Sequence, residues 1–228
     1  MNITEIPCKR ENYGGLRAMP PRYLVVHYTA VPGDTAENNG RYFSGADTGK
    51  TSAHYFVDEH QIVRSVPEEY VAYHCGGSVY YHPECRNGNS IGVEICTKGG
   101  PGGYFFDPGA LENAQWLLRR LMEQYGIPAE RVVRHWDVTH KVCPAPFVGA
   151  GAAAWEEFKG GLIVYERPED LPEWARPTVQ KLVAQNALLG DESGNLNLSR
   201  DMVRILVVLD RAGCLGDHTK EEQRCQTN

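Results

Sequence analysis

Two short apolar segments constrain the fold of this chain more than any other feature. Residues 22–29 (RYLVVHYT) follow Pro20 and Pro21 and are rich in β-branched and aromatic side chains, a pattern typical of a buried strand. Residues 90–96 (SIGVEIC) alternate, with branched side chains on one face and Gly, Glu and Cys on the other. Both segments are therefore predicted to be strands of a buried sheet.

A β-hairpin and a short helix are predicted between these two strands. Residues 52–58 and 61–66 are rich in strand-forming side chains and flank the short polar connection Glu59-His60, which favours a hairpin. Residues 34–44 are predicted to form a short helix.

The helix predicted most strongly covers residues 108–125. Apolar side chains recur there at helical spacing, Asp107 is a candidate N-cap, and Gly126 follows as a stop signal. A short strand is predicted at residues 131–135. Because strands and helices alternate, the predicted fold class is α/β, with a central mixed β-sheet flanked by helices.

The chain is predicted to contain a main domain and a small helical appendage. A Gly/Ala-rich stretch and two later prolines mark a change of composition after the main domain. The predicted organisation is a main domain over residues 1–160, a linker over residues 161–172, a helical C-terminal domain over residues 173–216 and a frayed polar tail over residues 217–228.

The appendage is predicted to be a pair of amphipathic helices, residues 174–188 and 201–212, joined by a polar turn, with Ser199 as the candidate N-cap of the second helix. Its Trp174-Ala175 pair and its turn resemble one unit of the S-layer-homology type found in cell-surface proteins. A single unit of that kind binds wall polymer weakly unless it forms a homodimer or packs on the main domain. A structural role, covering an apolar patch, explains the helix pair equally well.

Charge and cysteine content exclude several classes of protein. The 29 acidic and 23 basic residues leave a net charge of −6, which argues against nucleic-acid binding, since that requires clustered positive charge. Residues 1–13 lack the apolar segment of a signal peptide, and no stretch is long and apolar enough for a membrane anchor. The 7 cysteines form no C-x-x-C pair and suit a reducing compartment.

His27 lies inside the first apolar strand, where an imidazole without a partner costs free energy. A core histidine bonded to a backbone carbonyl is one interpretation. His135 and Cys143 suggest another, because two imidazoles and a thiolate bind Zn²⁺ and leave a fourth position open for water. Spacing alone does not decide between the two, since the residues lie in distant segments.

The motifs around these residues resemble the zinc-dependent N-acetylmuramoyl-L-alanine amidases of phage endolysins, bacterial autolysins and peptidoglycan-recognition proteins. The matching segments, in the order found in that family, are VVHYT at 25–29, SAHYFVD at 52–58, AYHCG at 72–76, SIGVEI at 90–95, HWD at 135–137 and KVCP at 141–144. The resemblance covers roughly residues 20–160. It implies that His27, His135 and Cys143 hold Zn²⁺.

The resemblance also implies catalytic roles for Glu94 and Lys141. Glu94 matches the catalytic glutamate of the family, and burial on an apolar strand would raise its pKa and make it a competent base. The alternative is a surface charge on an edge strand. Lys141, two residues before Cys143, is placed to stabilise an oxyanion, although a lysine in a polar loop is by itself unremarkable.

Three further residues are candidates for binding substrate. His54 and His74 are expected to line the cleft, with a structural, hydrogen-bonded role as an equal alternative. Some family members carry a tyrosine immediately before the histidine of the hairpin strand, whereas this chain has Ala53 there and Tyr55 after His54. The departure strengthens Glu94 as the base and leaves the role of Tyr55 open.

The resemblance predicts an enzyme that cleaves the amide bond between N-acetylmuramic acid and the L-alanine of the peptidoglycan stem peptide. A non-catalytic peptidoglycan-binding module is the alternative, and the presence of Cys143 favours the enzyme. A cysteine hydrolase using Cys143 and His135 is a third, weaker hypothesis. Without a signal peptide, a phage or prophage endolysin is expected, which stays cytoplasmic until it is released to the wall. An autolysin secreted by another route is the alternative.

Overall fold

The computed structural model describes residues 2–100 and 103–216. The chain divides into two units, Met1–Lys159 and Gly160–Asn228. Each unit is described by itself below. The tail predicted at residues 217–228 lies outside the described residues.

A seven-stranded sheet forms the centre of the first unit. Its strands are β1 (Ile3–Glu5), β2 (Tyr23–Pro32), β3 (Tyr55–Val57), β4 (Ile62–Arg64), β5 (Ser90–Gly100), β6 (Gly103–Phe105) and β7 (Val132–Arg134). The order across the sheet is β1-β4-β3-β5-β2-β7, with β6 paired to β5. The β3–β4 and β5–β6 pairs are antiparallel and the others are parallel, which confirms the predicted mixed sheet.

Four helices accompany this sheet: α1 (Ala36–Gly45), α2 (Pro108–Tyr125), α3 (His135–Thr139) and α4 (Ala152–Gly160). The predicted ends of α2 are confirmed. The Asp107 carboxylate accepts a hydrogen bond from the Gly109 N–H, and Gly126 ends the helix in the left-handed region at φ 62°. Helix α2 packs on β5 and β3, and α1 packs on the β3–β4 hairpin.

The pairing of β2 with β5 sets the position of the polar side chains in the sheet. The parallel register places His27 opposite Glu94 and Val25 opposite Gly92. Because side chains alternate between the two faces of a strand, these four residues share one face. Ile91, Val93 and Ile95 fill the opposite face and are fully buried.

Asp58 ties the hairpin to α1. One carboxylate oxygen accepts hydrogen bonds from the N–H groups of His60 and Gln61, each 2.8 Å long, which form the turn between β3 and β4. The other accepts from the N–H of Ala36, 2.7 Å away at the first turn of α1. The Asp58 side chain is buried, and its two oxygens together accept three backbone hydrogen bonds that connect the turn to α1.

In the first unit, two short strands were not expected from the sequence, and one predicted strand ends early. Strands β1 and β6 were not predicted, because each is only three residues long and lies at the border of the sheet. The strand predicted over residues 131–135 ends at Arg134, and His135 begins α3. The Asp137 carboxylate accepts from the Arg134 N–H at 2.8 Å, which caps α3 and turns the chain into a helix at this point.

The second unit contains helices α5 (Arg176–Ala184) and α6 (Arg200–Arg211) and a two-stranded sheet of β8 (Val164–Tyr165) and β9 (Leu198–Ser199). The predicted cap is confirmed, since the Ser199 hydroxyl accepts from the N–H of Met202. The first helix is shorter than predicted because Asn186 adopts φ 54°. In the described part of the chain, no helix has both the length and the apolar character needed to cross a membrane.

We expect Asp58→Ala to lower the free energy of unfolding of the chain by about 2–4 kcal/mol, because three backbone N–H groups, at the hairpin turn and at the start of α1, lose their buried acceptor. Guanidinium denaturation measures the change. Asp47→Ala is the matched control: Asp47 is exposed and accepts only from the Gly49 N–H, so a loss below about 1 kcal/mol is expected. Equal losses in the two variants would contradict the role given to Asp58.

Candidate metal centre

His27, His135 and Cys143 come together at one end of the sheet. His27 lies on β2, His135 begins α3, and Cys143 lies in the loop after α3. One nitrogen or sulfur atom from each residue lies within 4.8 Å of the others, and all three side chains are buried. In the described part of the chain, this is the group of side chains that could hold a metal ion.

The contacts of the three residues fit a metal site. Nδ1 of His27 lies 3.5 Å from Sγ of Cys143. Both ring nitrogens of His135 are buried and lack a hydrogen-bond partner among the described residues. Since buried polar atoms are almost always bonded, these ring nitrogens are available to a bound ligand such as a metal ion. Two nitrogens and a sulfur are donors that Zn²⁺ binds well.

Burial sets the protonation of these groups. It lowers the pKa of His27 well below the ordinary value, with the neighbouring histidines as a further cause. Burial likewise lowers the pKa of His135 to about 4, so both imidazoles are neutral and able to bind a cation. The pKa of the Cys143 thiol is raised to about 12, first by burial and then by the nearby Glu94.

Glu94 lies beside this cluster. Its Oε1 is 4.0 Å from Nδ1 of His27, and its Oε2 is buried without a hydrogen-bond partner among the described residues. Burial raises the pKa of the carboxyl group to about 8, and the charge of Lys141 opposes that rise. Glu94 belongs to a strand in the interior of the sheet, so the edge-strand alternative does not hold.

A cavity of about 290 Å³ opens onto the cluster. Its lining includes His27, Cys143, Glu94 and Lys141, together with His74. Thus two of the three predicted zinc ligands and both predicted catalytic residues border one space. The opposite wall is formed by side chains of α1 and of the segment before β3, namely Asn39, Phe43, Thr51, Ser52 and Ala53.

His74 contacts His27 through the ring nitrogen of His27 that does not face Cys143. Its Nδ1 lies 3.0 Å from Nε2 of His27, and its Nε2 lies 3.2 Å from the Ser90 hydroxyl. That hydroxyl donates to the Arg86 carbonyl, 2.7 Å away, and therefore accepts from His74. His74 Nδ1 is then the acceptor for His27 Nε2–H. The chain of bonds leaves Nδ1 of His27, which faces Cys143, without a proton.

The space for His74 comes from Gly92. A Cβ atom at position 92 would lie 2.4 Å from Cγ of His74, so any other residue would displace the ring. The side chain of Asn87 holds the same loop by accepting from the N–H groups of His74 and Cys75. Sequence reasoning did not assign Gly92 or Asn87 a role, although a glycine inside a strand signals a close approach.

His54 lies in the core and does not line the cavity. It is fully buried, its Nδ1 accepts from the Gly92 N–H at 3.0 Å, and its Nε2 lies 3.2 Å from the Tyr70 carbonyl. These bonds agree with the structural alternative for His54. They hold the strand that carries Gly92 and Glu94.

Tyr55 also lies away from the cavity. It is buried, and its hydroxyl donates to the Glu68 carboxylate. Burial and this carboxylate raise the pKa of the phenol above its ordinary value. Because neighbouring residues of a strand point to opposite faces, Tyr55 cannot share the face on which Phe56 borders the cavity.

A mixed α/β sheet that brings two imidazoles, a thiol and a partly buried carboxylate together beside one cavity has the kind of donor set found in metal-dependent hydrolases. Comparison with known proteins agrees with this class. The profile of the N-acetylmuramoyl-L-alanine amidase family matches residues 17–146. The chain belongs to this family.

Individual relatives point the same way. A probable N-acetylmuramoyl-L-alanine amidase of Bacillus licheniformis is 38% identical over 216 residues, covering 92% of this chain and 54% of that protein. The N-acetylmuramoyl-L-alanine amidase CwlL of Bacillus licheniformis is 38% identical over 143 residues, 59% of this chain and 39% of that protein. The chain thus spans about half or less of the length of these relatives.

Solved structures share the fold. The catalytic domain of XlyA has a TM-score of 0.59 and 31% identity, and the match covers 72% of this chain and all of that domain. A mutant endolysin from Bacillus subtilis has a TM-score of 0.59 and 31% identity, with 71% of this chain and 99% of that chain covered.

Replacing His74 tests whether it orients His27. We expect His74→Phe to weaken binding of Zn²⁺ by about 10–100-fold, because His27 loses the acceptor that fixes its tautomer. His74→Asn places an amide oxygen near the position of Nδ1 and is expected to recover most of the affinity. Competition with a chromophoric chelator measures both.

His60→Phe is the matched control, since the His60 side chain is 81% exposed and should leave Zn²⁺ affinity unchanged. Parental affinity in His74→Phe would show that the hydrogen bond does not orient His27.

Proposed function

We propose that this chain hydrolyses the amide bond between the lactyl group of N-acetylmuramic acid and the L-alanine that begins the stem peptide of bacterial peptidoglycan. The observation that carries the proposal is the buried cluster of His27, His135 and Cys143 beside Glu94, inside the region that matches the amidase family. The names of the relatives support the choice of bond.

His27, His135 and Cys143 would hold Zn²⁺. The unpartnered ring nitrogens of His135 and the neutral state of both imidazoles support this assignment. When bound, Zn²⁺ supplies polarisation of the substrate carbonyl and a lowered pKa of water.

Glu94 is the proposed general base. Its carboxylate accepts a proton from the attacking water and passes it to the nitrogen of the departing L-alanine, so the carboxylate is regenerated. Its partly buried position supports this role, because the raised pKa brings proton transfer in both directions close to neutral pH. Oε2, which lacks a partner among the described residues, is free to make the transfer.

Lys141 is proposed to stabilise the oxyanion. It borders the same cavity as Glu94 and Cys143, and its ammonium group can donate hydrogen bonds to the oxygen on which negative charge develops. Lys141 is exposed, so it can reach a substrate in the cavity without a cost for burying its charge.

The structure offers little support for Cys143 as a nucleophile. A nucleophilic cysteine needs a lowered pKa, whereas burial raises the pKa of this thiol to about 12. A thiol of this kind becomes a thiolate only next to a cation, which is the condition that a metal ligand meets.

We propose further that the enzyme is an endolysin of phage or prophage origin that acts on the cell wall. The likeness to an endolysin from Bacillus subtilis supports this setting. In the proposed organisation, residues 1–160 are the catalytic domain, residues 161–172 a linker, and residues 173–216 a helical domain that assists binding to the wall.

The products of digestion test the proposed bond. Incubation of purified peptidoglycan with the chain should release new amino-terminal L-alanine without new reducing sugars, because an amide and not a glycosidic bond is cut. Mass analysis of the soluble fragments distinguishes the two. New reducing ends without free L-alanine would refute the amidase assignment.

Two substitutions separate metal binding from proton transfer. Glu94→Gln should keep bound zinc and lose at least about 100-fold in the rate of wall hydrolysis, since the base is gone. Cys143→Ala should lose both zinc and activity. Metal analysis and a turbidity assay give the two readouts. Parental activity in Glu94→Gln would remove this residue from the role of base.

A further inference from the structure

Three aromatic rings stack on one another at the end of α3, and the proposed chemistry gives none of them a role. The ring of His140 lies nearly parallel to that of Tyr81, with centroids 3.6 Å apart and an interplanar angle of 10°. The His140 ring also stacks with Trp136, at 4.9 Å and 19°. These three residues are called the aromatic stack below. The stack joins the loop that carries Tyr81 to a segment more than fifty residues later in the chain.

The backbone of His140 requires support from its neighbours. His140 follows the last residue of α3 with φ 58°, in the left-handed region that residues other than glycine adopt at a cost. Such a conformation persists where surrounding contacts hold it. Stacking on Tyr81 and Trp136 is a contact of this kind, because parallel aromatic rings attract each other beyond the burial of their surface.

The loop of Tyr81 is docked on α3 through its backbone. The Tyr81 N–H donates to the Val138 carbonyl, 2.9 Å away. In the same loop, a Cβ atom at Gly77 would lie 2.8 Å from Cγ2 of Thr139, so the missing side chain allows the close approach. These contacts do not involve the Tyr81 ring, which is 57% exposed. The ring can therefore be removed while the loop stays in place.

His140 leads directly into two residues of the candidate metal centre. The Lys141 carbonyl accepts from the Cys143 N–H at 2.7 Å, and the Cys143 carbonyl accepts from the Trp136 N–H at 2.8 Å. The backbone of Cys143 is thus bonded to the start of α3. Lys141, which borders the cavity, lies between this fixed point and the stacked ring of His140. A lysine side chain has many rotamers, so the place its ammonium group reaches depends on how firmly its backbone is held.

We infer that Tyr81 is a positioning residue for Lys141: its ring holds His140, and His140 holds the backbone that aims the ammonium group into the cavity. The inference rests on the proposed function, in which Lys141 stabilises the oxyanion. A donor to a developing oxyanion acts in the transition state, so its misplacement lowers kcat more than it raises KM. Bound zinc should be unaffected, because Cys143 keeps its backbone bond to Trp136.

The first test measures hydrolysis of a soluble muramoyl peptide by the zinc-loaded full chain. We expect Tyr81→Ala to lower kcat at least about five-fold, since small displacements of a catalytic group are costly. KM and zinc content should stay within about two-fold of the parent. Tyr81→Phe keeps the ring and should keep kcat within about two-fold of the parent.

Tyr80→Ala is the matched control. It removes a tyrosine ring from the same loop, but that ring packs against the Arg86 guanidinium, 4.0 Å away, and not against His140. Tyr80→Ala should hydrolyse the peptide at the parental rate. Equal kcat values in Tyr81→Ala and Tyr80→Ala would overturn the proposal.

A second variant removes the central ring of the stack. Glycine adopts φ 58° without strain, so His140→Gly is expected to fold, and an unchanged unfolding temperature verifies this. Its kcat should fall at least about five-fold, as in Tyr81→Ala, because the stack is lost. Parental kcat in His140→Gly would show that the stack does not position Lys141.

A double-mutant cycle tests whether Tyr81 acts through Lys141. In a chain that carries Lys141→Met, adding Tyr81→Ala should lower kcat less than about two-fold, because the group that the ring positions is already gone. The same loss in the presence and in the absence of Lys141 would assign Tyr81 a merely structural role.

Trypsin gives a readout that does not depend on activity. Lys141 is exposed, and the bond that follows it is cleaved faster when the loop is mobile. We expect Tyr81→Ala to raise the rate of cleavage after Lys141 at least about five-fold, and Tyr81→Phe to leave it at the parental rate. Mass analysis of the fragments identifies the bond. Unchanged cleavage in Tyr81→Ala would contradict the proposal.

The two assays separate this inference from the proposed function. Failure of every chain, the parent included, to hydrolyse the muramoyl peptide would refute the amidase function. Tryptic cleavage after Lys141 would still decide whether the ring of Tyr81 holds that residue.

Discussion

The parallel pairing of β2 with β5 is the constraint on which the candidate metal centre depends. It sets His27 opposite Glu94 in the interior of the sheet, where backbone hydrogen bonds on both sides hold each strand. A slip of one residue would turn Glu94 to the other face and expose the branched side chains of β5. Burial of Ile91, Val93 and Ile95 therefore keeps Glu94 next to His27.

Burial of polar groups around that pair has a free-energy cost that a purely structural core would avoid. His135 and one oxygen of Glu94 are buried without partners among the described residues, and the Cys143 thiol is held neutral by burial. Unpartnered polar atoms of this kind destabilise a fold unless something else binds them. In the function proposed above, a cation at His135 and Cys143 and a substrate at Glu94 would offset this cost.

The four buried histidines described in the first unit divide into two groups that residue type alone does not distinguish. His27 and His135 present ring nitrogens to the centre, whereas His54 and His74 use theirs to hold neighbouring groups in place. His54 bonds the backbone of Gly92, and Gly92 in turn leaves room for the His74 ring. The geometry of His27 thus depends on His74, and through it on Gly92 and His54, which do not line the cavity.

The sequence by itself determined the mixed α/β sheet, the hairpin, the caps of α2 and α6, and the residues that resemble the amidase family. These follow from local periodicity, capping residues and short motifs, which depend on neighbours along the chain. Only the tertiary structure decided that His54 and Tyr55 lie in the core and that His74 contacts His27. Those outcomes depend on register and on contacts between segments far apart in sequence, and neither can be derived from the order of residues within one segment.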